Sequence, residues 1–336
     1  TFSRDSYLMT KVYPWQQAIW QILVQSRARQ TLPHAFIFSG VQGIGLFEFS
    51  QVMSAWLLCQ QPQSDGACGV CKSCQLWQAQ SHPDYRLVAQ LVDDKGKTSQ
   101  VIKVDQIREL LDFLNKSAQL NGYRVAVIHH ADTLNTNAAN SLLKTLEEAG
   151  KNTAIILLTE QPLSLLPTIR SRCQQFNVAV PSLEQAKKWL TPQLKQASQA
   201  DLLLALTAGA PLAALALQQE TWLEQRQPLA KAILAVLQKK QTALVALQGF
   251  HKQLEPEQQL KMLQLLFADI LFSKLGQQQA IKNSDLLPII NSMAECLSAQ
   301  QIIALQQQCL EGLRLIAANI QANLILENLW FSLRVA

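Results

Sequence analysis

The sequence predicts an α/β fold with a parallel sheet in its amino-terminal half and an all-helical carboxy-terminal half. Up to about residue 180, short apolar runs alternate with helical patterns, and such alternation is typical of a parallel sheet covered on both faces. After Pro181 the strand patterns stop, and segments rich in Leu, Ala and Gln continue with apolar residues at helical spacing.

Size and composition favour a folded chain of several domains. Its 336 residues exceed what one hydrophobic core organises, and 49% of them are apolar. No apolar run reaches the ~18 residues of a membrane span, and the first residues lack a signal-peptide core, so a cytoplasmic location without a membrane is expected. The net charge of +5 comes without a dense Lys and Arg patch, which disfavours a dedicated nucleic-acid binder.

The individual elements follow from the apolar patterns. Buried strands are predicted at 35–38, 124–128 and 154–159, where apolar residues run without interruption. Helices are predicted at 12–29, 46–58, 105–115 and 137–149, and throughout the chain beyond 181. The predicted domains are an extension at 1–11, an α/β domain at 12–180, a small helical domain at 181–220 and a larger helical domain at 221–336.

A glycine-rich loop joins the first predicted strand to the next helix. Gly40, Gly43 and Gly45 have the spacing of a P-loop, in which backbone N–H groups and the helix N-terminus bind phosphate. A working P-loop continues with Lys for phosphate charge and Ser or Thr for magnesium, whereas this chain has Leu46 and Phe47. The loop is therefore predicted to be a degenerate nucleotide site, without productive ATP binding, that is kept for its turn geometry.

Two histidines follow the second predicted strand, where a P-loop ATPase has acidic residues for magnesium and water. Adjacent strand residues point to opposite faces, so His129 and His130, at the end of this strand, are not expected to share one metal ion. With Asp132 they are interpreted as remnants or ordinary polar groups. Losses at both catalytic positions predict that this chain hydrolyses no ATP.

Four of the seven cysteines have metal-ligand spacing. Cys59, Cys68, Cys71 and Cys74 follow the pattern C-x8-C-x2-C-x2-C, and four thiolates match a closed tetrahedral zinc site of structural type. The alternatives are unliganded thiols and an iron–sulfur cluster, although a ferredoxin-type run would need another Cys at Gln78. The favoured prediction is a zinc module at 59–74, inserted in the α/β domain.

The tripeptide Ser171-Arg172-Cys173 follows the last predicted strand. An arginine at the edge of an ATPase-like domain can reach a neighbouring subunit's nucleotide and stabilise charge on the transferred phosphate. A solvated surface arginine is the ordinary alternative, and Cys173 can simply pack in the core.

Together these motifs resemble the clamp-loader subunits of bacterial DNA polymerase III. The resemblance rests on the four-cysteine module, His82-Pro83-Asp84, the string NSLLKTLEE at 140–148 and Ser171-Arg172-Cys173. It is strong over about 14–180. The chain departs from the gamma/tau motor pattern at Leu46, Phe47, His129 and His130. It also has Leu212 at the position where the motor has its second sensor arginine. The departures select the branch of the family with a degenerate nucleotide site.

The resemblance implies a fold and a role. The fold is an AAA+ module with the inserted zinc module, followed by a helical lid domain and an all-α collar domain. The role is that of a stator-like subunit in a hetero-pentameric ring with gamma/tau and delta, which loads the beta sliding clamp onto primer-template DNA in replication. Arg172 is implied to act in trans as an arginine finger on a gamma/tau ATP site, within a complex that has DNA-directed DNA polymerase activity.

Two other interpretations are compatible with the sequence. An active ATPase motor of the same family would need another lysine for the phosphates, and none stands in the loop. A zinc-containing DNA-binding protein that acts without ring partners would bind DNA alone, with an affinity that falls as salt rises.

Overall fold

A computed structural model describes residues 11–92, 99–120, 122–148, 150, 152–250, 254–318 and 320–335. The chain divides into two compact units, Thr1–Gln185 and Ala186–Ala336. Most of the predicted extension at 1–11 lies outside the described residues. The domain boundaries predicted near 180 and 220 stay predictions.

The first unit is built on a five-stranded parallel sheet with the order β2-β3-β4-β1-β5. Its strands are β1 (Ala35–Ser39), β2 (Tyr85–Val88), β3 (Arg124–Ile128), β4 (Thr153–Thr159) and β5 (Gln174–Asn177). Its helices are α1 (Gln17–Ala28), α2 (Leu46–Leu58), α3 (Lys72–Gln78), α4 (Val104–Leu114), α5 (Thr136–Glu147) and α6 (Pro167–Arg170). The predicted parallel sheet is confirmed.

The central strands β1, β3 and β4 are buried along their whole length, which explains their uninterrupted apolar runs. Apolar side chains from the two faces of the sheet form two separate cores. One core packs α1 and α2 against the sheet, and the other packs α4, α5 and α6 against it.

The sequence did not predict the two edge strands. β5 has the polar sequence QQFN and is mostly exposed, and β2 is only four residues long with a partly exposed pattern. Short edge strands carry little apolar signal because neither needs two buried faces.

The second unit contains only helices among its described residues, as predicted. They are α7 (Leu183–Leu190), which crosses the division, α8 (Ala200–Leu206), α9 (Pro211–Leu217), α10 (Thr221–Leu237), α11 (Ala243–Gln248), α12 (Pro256–Lys274), α13 (Leu287–Cys296), α14 (Ala299–Ala317) and α15 (Ala322–Val335). Residues 186–217 form a small apolar core, and a larger core joins α10 to α15. Leu212 lies half-buried in α9.

None of the described helices is by itself long and apolar enough to cross a membrane. One bent pair, Ala197–Leu206 with Pro211–Leu217, meets the length and composition criteria jointly.

Candidate functional site

The glycine loop between β1 and α2 has a backbone that only glycine fits easily. Gly43 and Gly45 have φ angles of 76° and 87°, in the left-handed region that side chains disfavour. A Cβ atom at Gly40 would lie 2.9 Å from the carbonyl oxygen of Val178. The P-loop spacing in the sequence therefore corresponds to a real geometric requirement of this turn.

Two side chains before α1 hold the loop in place. The buried Gln16 donates from Nε2 to the carbonyl oxygens of Ile44 and Gly45, at 3.2 and 2.8 Å. The indole of Trp15 also donates to the Ile44 oxygen, at 2.9 Å. These contacts tie the turn to the segment that precedes α1.

The two positions after the loop belong to the hydrophobic core. Leu46 and Phe47 are only 9% and 8% exposed, and both join the apolar cluster that packs α2 against the sheet. Their side chains supply neither the positive charge nor the hydroxyl that phosphate and magnesium require.

The structure corrects the expected placement of the histidines. β3 ends at Ile128, and His130 has a left-handed φ of 55°, so neither histidine continues the strand. Their rings lie side by side, with centroids 4.0 Å apart, and His129 also faces the ring of Phe47. Burial, with a smaller effect from His130, lowers the pKa of His129 to about 4.

The carboxylate of Asp132 is hydrogen-bonded to a residue at the end of a neighbouring strand. Its Oδ1 accepts a hydrogen bond of 2.6 Å from the hydroxyl of Thr159, at the end of β4. The Thr159 hydroxyl oxygen in turn accepts from the backbone N–H of Gln161. Asp132 thus serves to join the turn after β3 to the end of β4.

The four predicted cysteines converge on one point. Their sulfur atoms all lie within 4.8 Å of one another. The Sγ atoms of Cys59 and Cys74 are 3.6 Å apart, and two further pairs, Cys59 with Cys71 and Cys68 with Cys74, are 3.9 Å apart. A tetrahedral zinc site with Zn–S bonds of about 2.3 Å places its sulfurs about 3.8 Å apart, so this donor set fits zinc.

Backbone N–H groups favour thiolates in the cluster. The N–H of Cys68 donates to the Cys59 sulfur at 3.3 Å, and the N–H of Cys71 donates to the Cys68 sulfur at 3.4 Å. Donors on Val70 and Cys71 lower the pKa of Cys68 to about 6. Burial raises the pKa of Cys59 and Cys74, so only Cys68 is favoured as a thiolate, the form that binds metal, by the protein alone.

His82 and Asp84, singled out as a motif, connect the cysteine module to the sheet. The Nδ1 atom of His82 accepts from the backbone N–H of Asp84, so its Nε2 carries the proton and donates to the Ser73 hydroxyl at 2.7 Å. That hydroxyl donates onward to the carbonyl oxygen of Leu58 at 2.7 Å. The chain of bonds ties α3 to the end of α2 and the start of β2.

Asp84 also forms a buried ion pair that the sequence did not predict. Its carboxylate accepts from the backbone N–H groups of Gln119 and Leu120 at 2.8 and 3.0 Å. It lies 3.5 Å from Arg124, and both side chains are almost completely buried. Arg124 also donates to the carbonyl oxygens of Phe113 and Ser117.

The Ser-Arg-Cys tripeptide lies at the end of α6. The Ser171 hydroxyl donates to the Thr168 carbonyl oxygen, and Cys173 is buried in the core beneath α5. The side chain of Arg172 is 33% exposed and contacts Glu147 on α5. Within the described residues, none of its hydrogen bonds goes to the glycine loop of its own chain.

Comparisons with known proteins agree with this architecture. Residues 15–182 match the family described as DNA polymerase III, delta subunit, and residues 219–334 match its C-terminal family. A Pseudomonas aeruginosa protein named DNA polymerase III subunit delta' is 33% identical, covering 97% of this chain and 99% of that protein. The chain belongs to the delta' family of DNA polymerase III subunits. The Escherichia coli delta' protein is 40% identical over 66% of this chain and 65% of that protein.

Membership of the delta' family confirms the resemblance noted in the motifs and the predicted fold class. It covers both units of the chain, because the P. aeruginosa protein aligns over almost the whole length. Family membership does not by itself assign a role to Arg172, the glycine loop or the four cysteines.

Proposed function

We propose that the chain is the stator-like subunit of a DNA polymerase III clamp loader. It joins gamma/tau and delta subunits in a hetero-pentameric ring that loads the beta sliding clamp onto primed DNA. The proposal rests on two features of one domain: the positions after the glycine loop are filled by core residues, and the Ser-Arg-Cys motif carries a partly exposed arginine.

The loss of ATP hydrolysis follows from burial and charge. Placing a triphosphate beside Leu46 and Phe47 would bring its charge against apolar side chains that offer no compensation. His129, with its pKa near 4, is neutral at pH 7 and carries no negative charge to hold magnesium. The chain therefore contributes no ATPase site of its own.

Zinc has a structural part in this proposal. Four thiolates would complete the coordination of the ion and leave no position for a substrate. The loop between Cys59 and Cys71 has few buried apolar side chains, so metal ligation would supply its stability.

Arg172 is the residue through which the chain would act on ATP. Its guanidinium is partly exposed at the end of α6, so it can contact a nucleotide held by a neighbouring gamma/tau subunit. A planar guanidinium suits this role because it makes two parallel hydrogen bonds to phosphate oxygens.

The test is the ATPase rate of a clamp loader reconstituted with gamma/tau and delta partners, in the presence of clamp and primed DNA. Arginine fingers contribute about a thousandfold or more in related hydrolases, so loss at one of several sites should lower the rate clearly in Arg172→Ala. The exposed Arg29 provides the control variant Arg29→Ala, which should leave the rate unchanged.

Three results would contradict the proposal. An unchanged rate in an assembled Arg172→Ala complex would remove the finger role. ATP turnover by the isolated chain would restore the motor interpretation. Salt-dependent DNA binding by the isolated chain, without any association with gamma/tau, would favour the zinc-containing DNA-binding protein.

A further inference from the structure

Arg172 is held in one orientation by a carboxylate from another helix. Its Nε and Nη2 atoms both donate to the same oxygen, Oε2 of Glu147, at 3.1 and 3.0 Å. Its Nη1 atom donates to the carbonyl oxygen of Thr168 at 3.1 Å. Within the described residues, these bonds use three of the five N–H donors of the guanidinium, and one donor remains on each terminal nitrogen.

The remaining donors match what a phosphate needs. Glu147 takes the Nε side of the guanidinium, and Thr168 takes one donor of Nη1. One N–H group is unused on each of Nη1 and Nη2, and both nitrogens can donate to phosphate oxygens. The Glu147 carboxylate thus orients the Arg172 side chain and leaves N–H donors on Nη1 and Nη2 for another acceptor.

The position of Glu147 is unfavourable for a carboxylate by local rules. It is the last residue of α5, and the carboxyl end of a helix carries partial negative charge that disfavours another negative charge. Its contact with Arg172 offsets this cost.

Packing fixes the distance between the two residues. Leu142 and Leu146 on the buried face of α5 share one core with Ile169 and Cys173, which flank Arg172 in the chain. The carboxylate and the guanidinium therefore project from α5 and from the end of α6, which pack against each other through this core. A partly exposed ion pair of this kind adds little to stability, so we expect its main effect to be on the orientation of the Arg172 side chain.

From this geometry we infer that Glu147 is a positioning residue for Arg172 in ATP hydrolysis by the neighbouring subunit. The inference rests on the proposed function, since it assigns a partner to the arginine finger. A long arginine side chain has many rotamers, and holding it in advance reduces the ordering needed when the neighbour's ATP reaches the transition state. Glu147 acts only through Arg172 and touches no nucleotide itself.

The experiment uses the reconstituted clamp loader with clamp and primed DNA. Glu147→Ala should lower kcat for ATP by about threefold or more, less than Arg172→Ala does, because misorientation weakens a catalytic contact without removing it. KM for ATP should stay unchanged. Glu147→Gln keeps an oxygen that can accept both hydrogen bonds, so it should retain most of the wild-type rate.

The adjacent carboxylate offers a matched control. Glu148 is exposed, and the hydrogen bonds of Arg172 go to Glu147 and Thr168. Glu148→Ala removes the same charge from the end of α5 and should leave kcat unchanged. Gel filtration and thermal melting should show that every variant assembles and is folded.

The double variant separates the two claims. Glu147→Ala should have no further effect in an Arg172→Ala complex, because its influence passes through that arginine. If Arg172→Ala lowers the rate but Glu147→Ala equals wild type, or raises the rate, the positioning role is refuted and the finger role stands. If Arg172→Ala itself has no effect, the proposed function fails first.

Discussion

The ring of Phe47 lies edge-on to the imidazole of His129, with the two ring centroids 5.2 Å apart. Phe47 follows the glycine loop and His129 follows β3, the two places where a P-loop ATPase holds magnesium and water. In this chain the two positions contact each other through packing. A packing contact therefore joins these two places in the first unit, and several measurable consequences follow from the surrounding geometry.

The first prediction concerns the buried phenyl ring itself. Phe47→Ala should lower the free energy of unfolding by about 3 kcal/mol, because it removes a buried side chain and leaves a cavity beside the sheet. Urea unfolding of the isolated chain measures the change. Leu163→Ala, at a side chain that is 82% exposed, should cost less than about 0.5 kcal/mol. Equal costs for the two variants would contradict the assignment of Phe47 to the core.

The second prediction is a pH dependence caused by His129. Its pKa is about 4 in the folded chain and about 6.5 when unfolded, so below pH 6.5 the unfolded state binds a proton that the folded state does not. Stability should fall as pH drops from 6.5 to 4, by about 2 kcal/mol after allowance for partial exposure, and show no His129 contribution above pH 6.5. Unfolding of wild type and His129→Gln at several pH values tests this. Parallel curves for the two proteins would contradict it.

The third prediction concerns metal at the four cysteines. Purified chain should contain one zinc ion, measured by elemental analysis, because the sulfur positions suit tetrahedral coordination. Cys71→Ser or treatment with a strong chelator should remove the metal and lower the melting temperature. Cys296→Ser is the control, since that exposed cysteine lies outside the cluster. Iron in place of zinc, or full metal content in Cys71→Ser, would refute the prediction.

The fourth prediction concerns the buried pair of Asp84 and Arg124. Asp84→Ala should destabilise the chain by about 3–5 kcal/mol, because it leaves a buried guanidinium without its charge partner and two backbone N–H groups without an acceptor. Asp65→Ala removes an exposed carboxylate paired with Lys11 and should cost less than about 1 kcal/mol. Thermal or urea unfolding compares the two, and a small loss in Asp84→Ala would show that the pair is not needed.

Much of the fold could be predicted because its signals are local. The buried strand β4 and the helix α2 appear in the sequence as runs and periods that depend on neighbours within a few residues. The edge strands β2 and β5 were missed because strands with one neighbour need no continuous apolar run. The side-by-side histidines were also missed, since nothing in the sequence shows that the backbone at His130 is left-handed.

By itself, the sequence determined the cysteine spacing, the glycine turn, the apolar residues Leu46 and Phe47 after that turn, and the division into α/β and helical parts. Only the tertiary structure decided that Glu147 meets Arg172, 25 residues away, and that Asp84 pairs with Arg124. The physical reason is that residue spacing and apolar periodicity report only on segments that are close in the sequence. Pairs such as these form only after the sheet order places distant segments side by side.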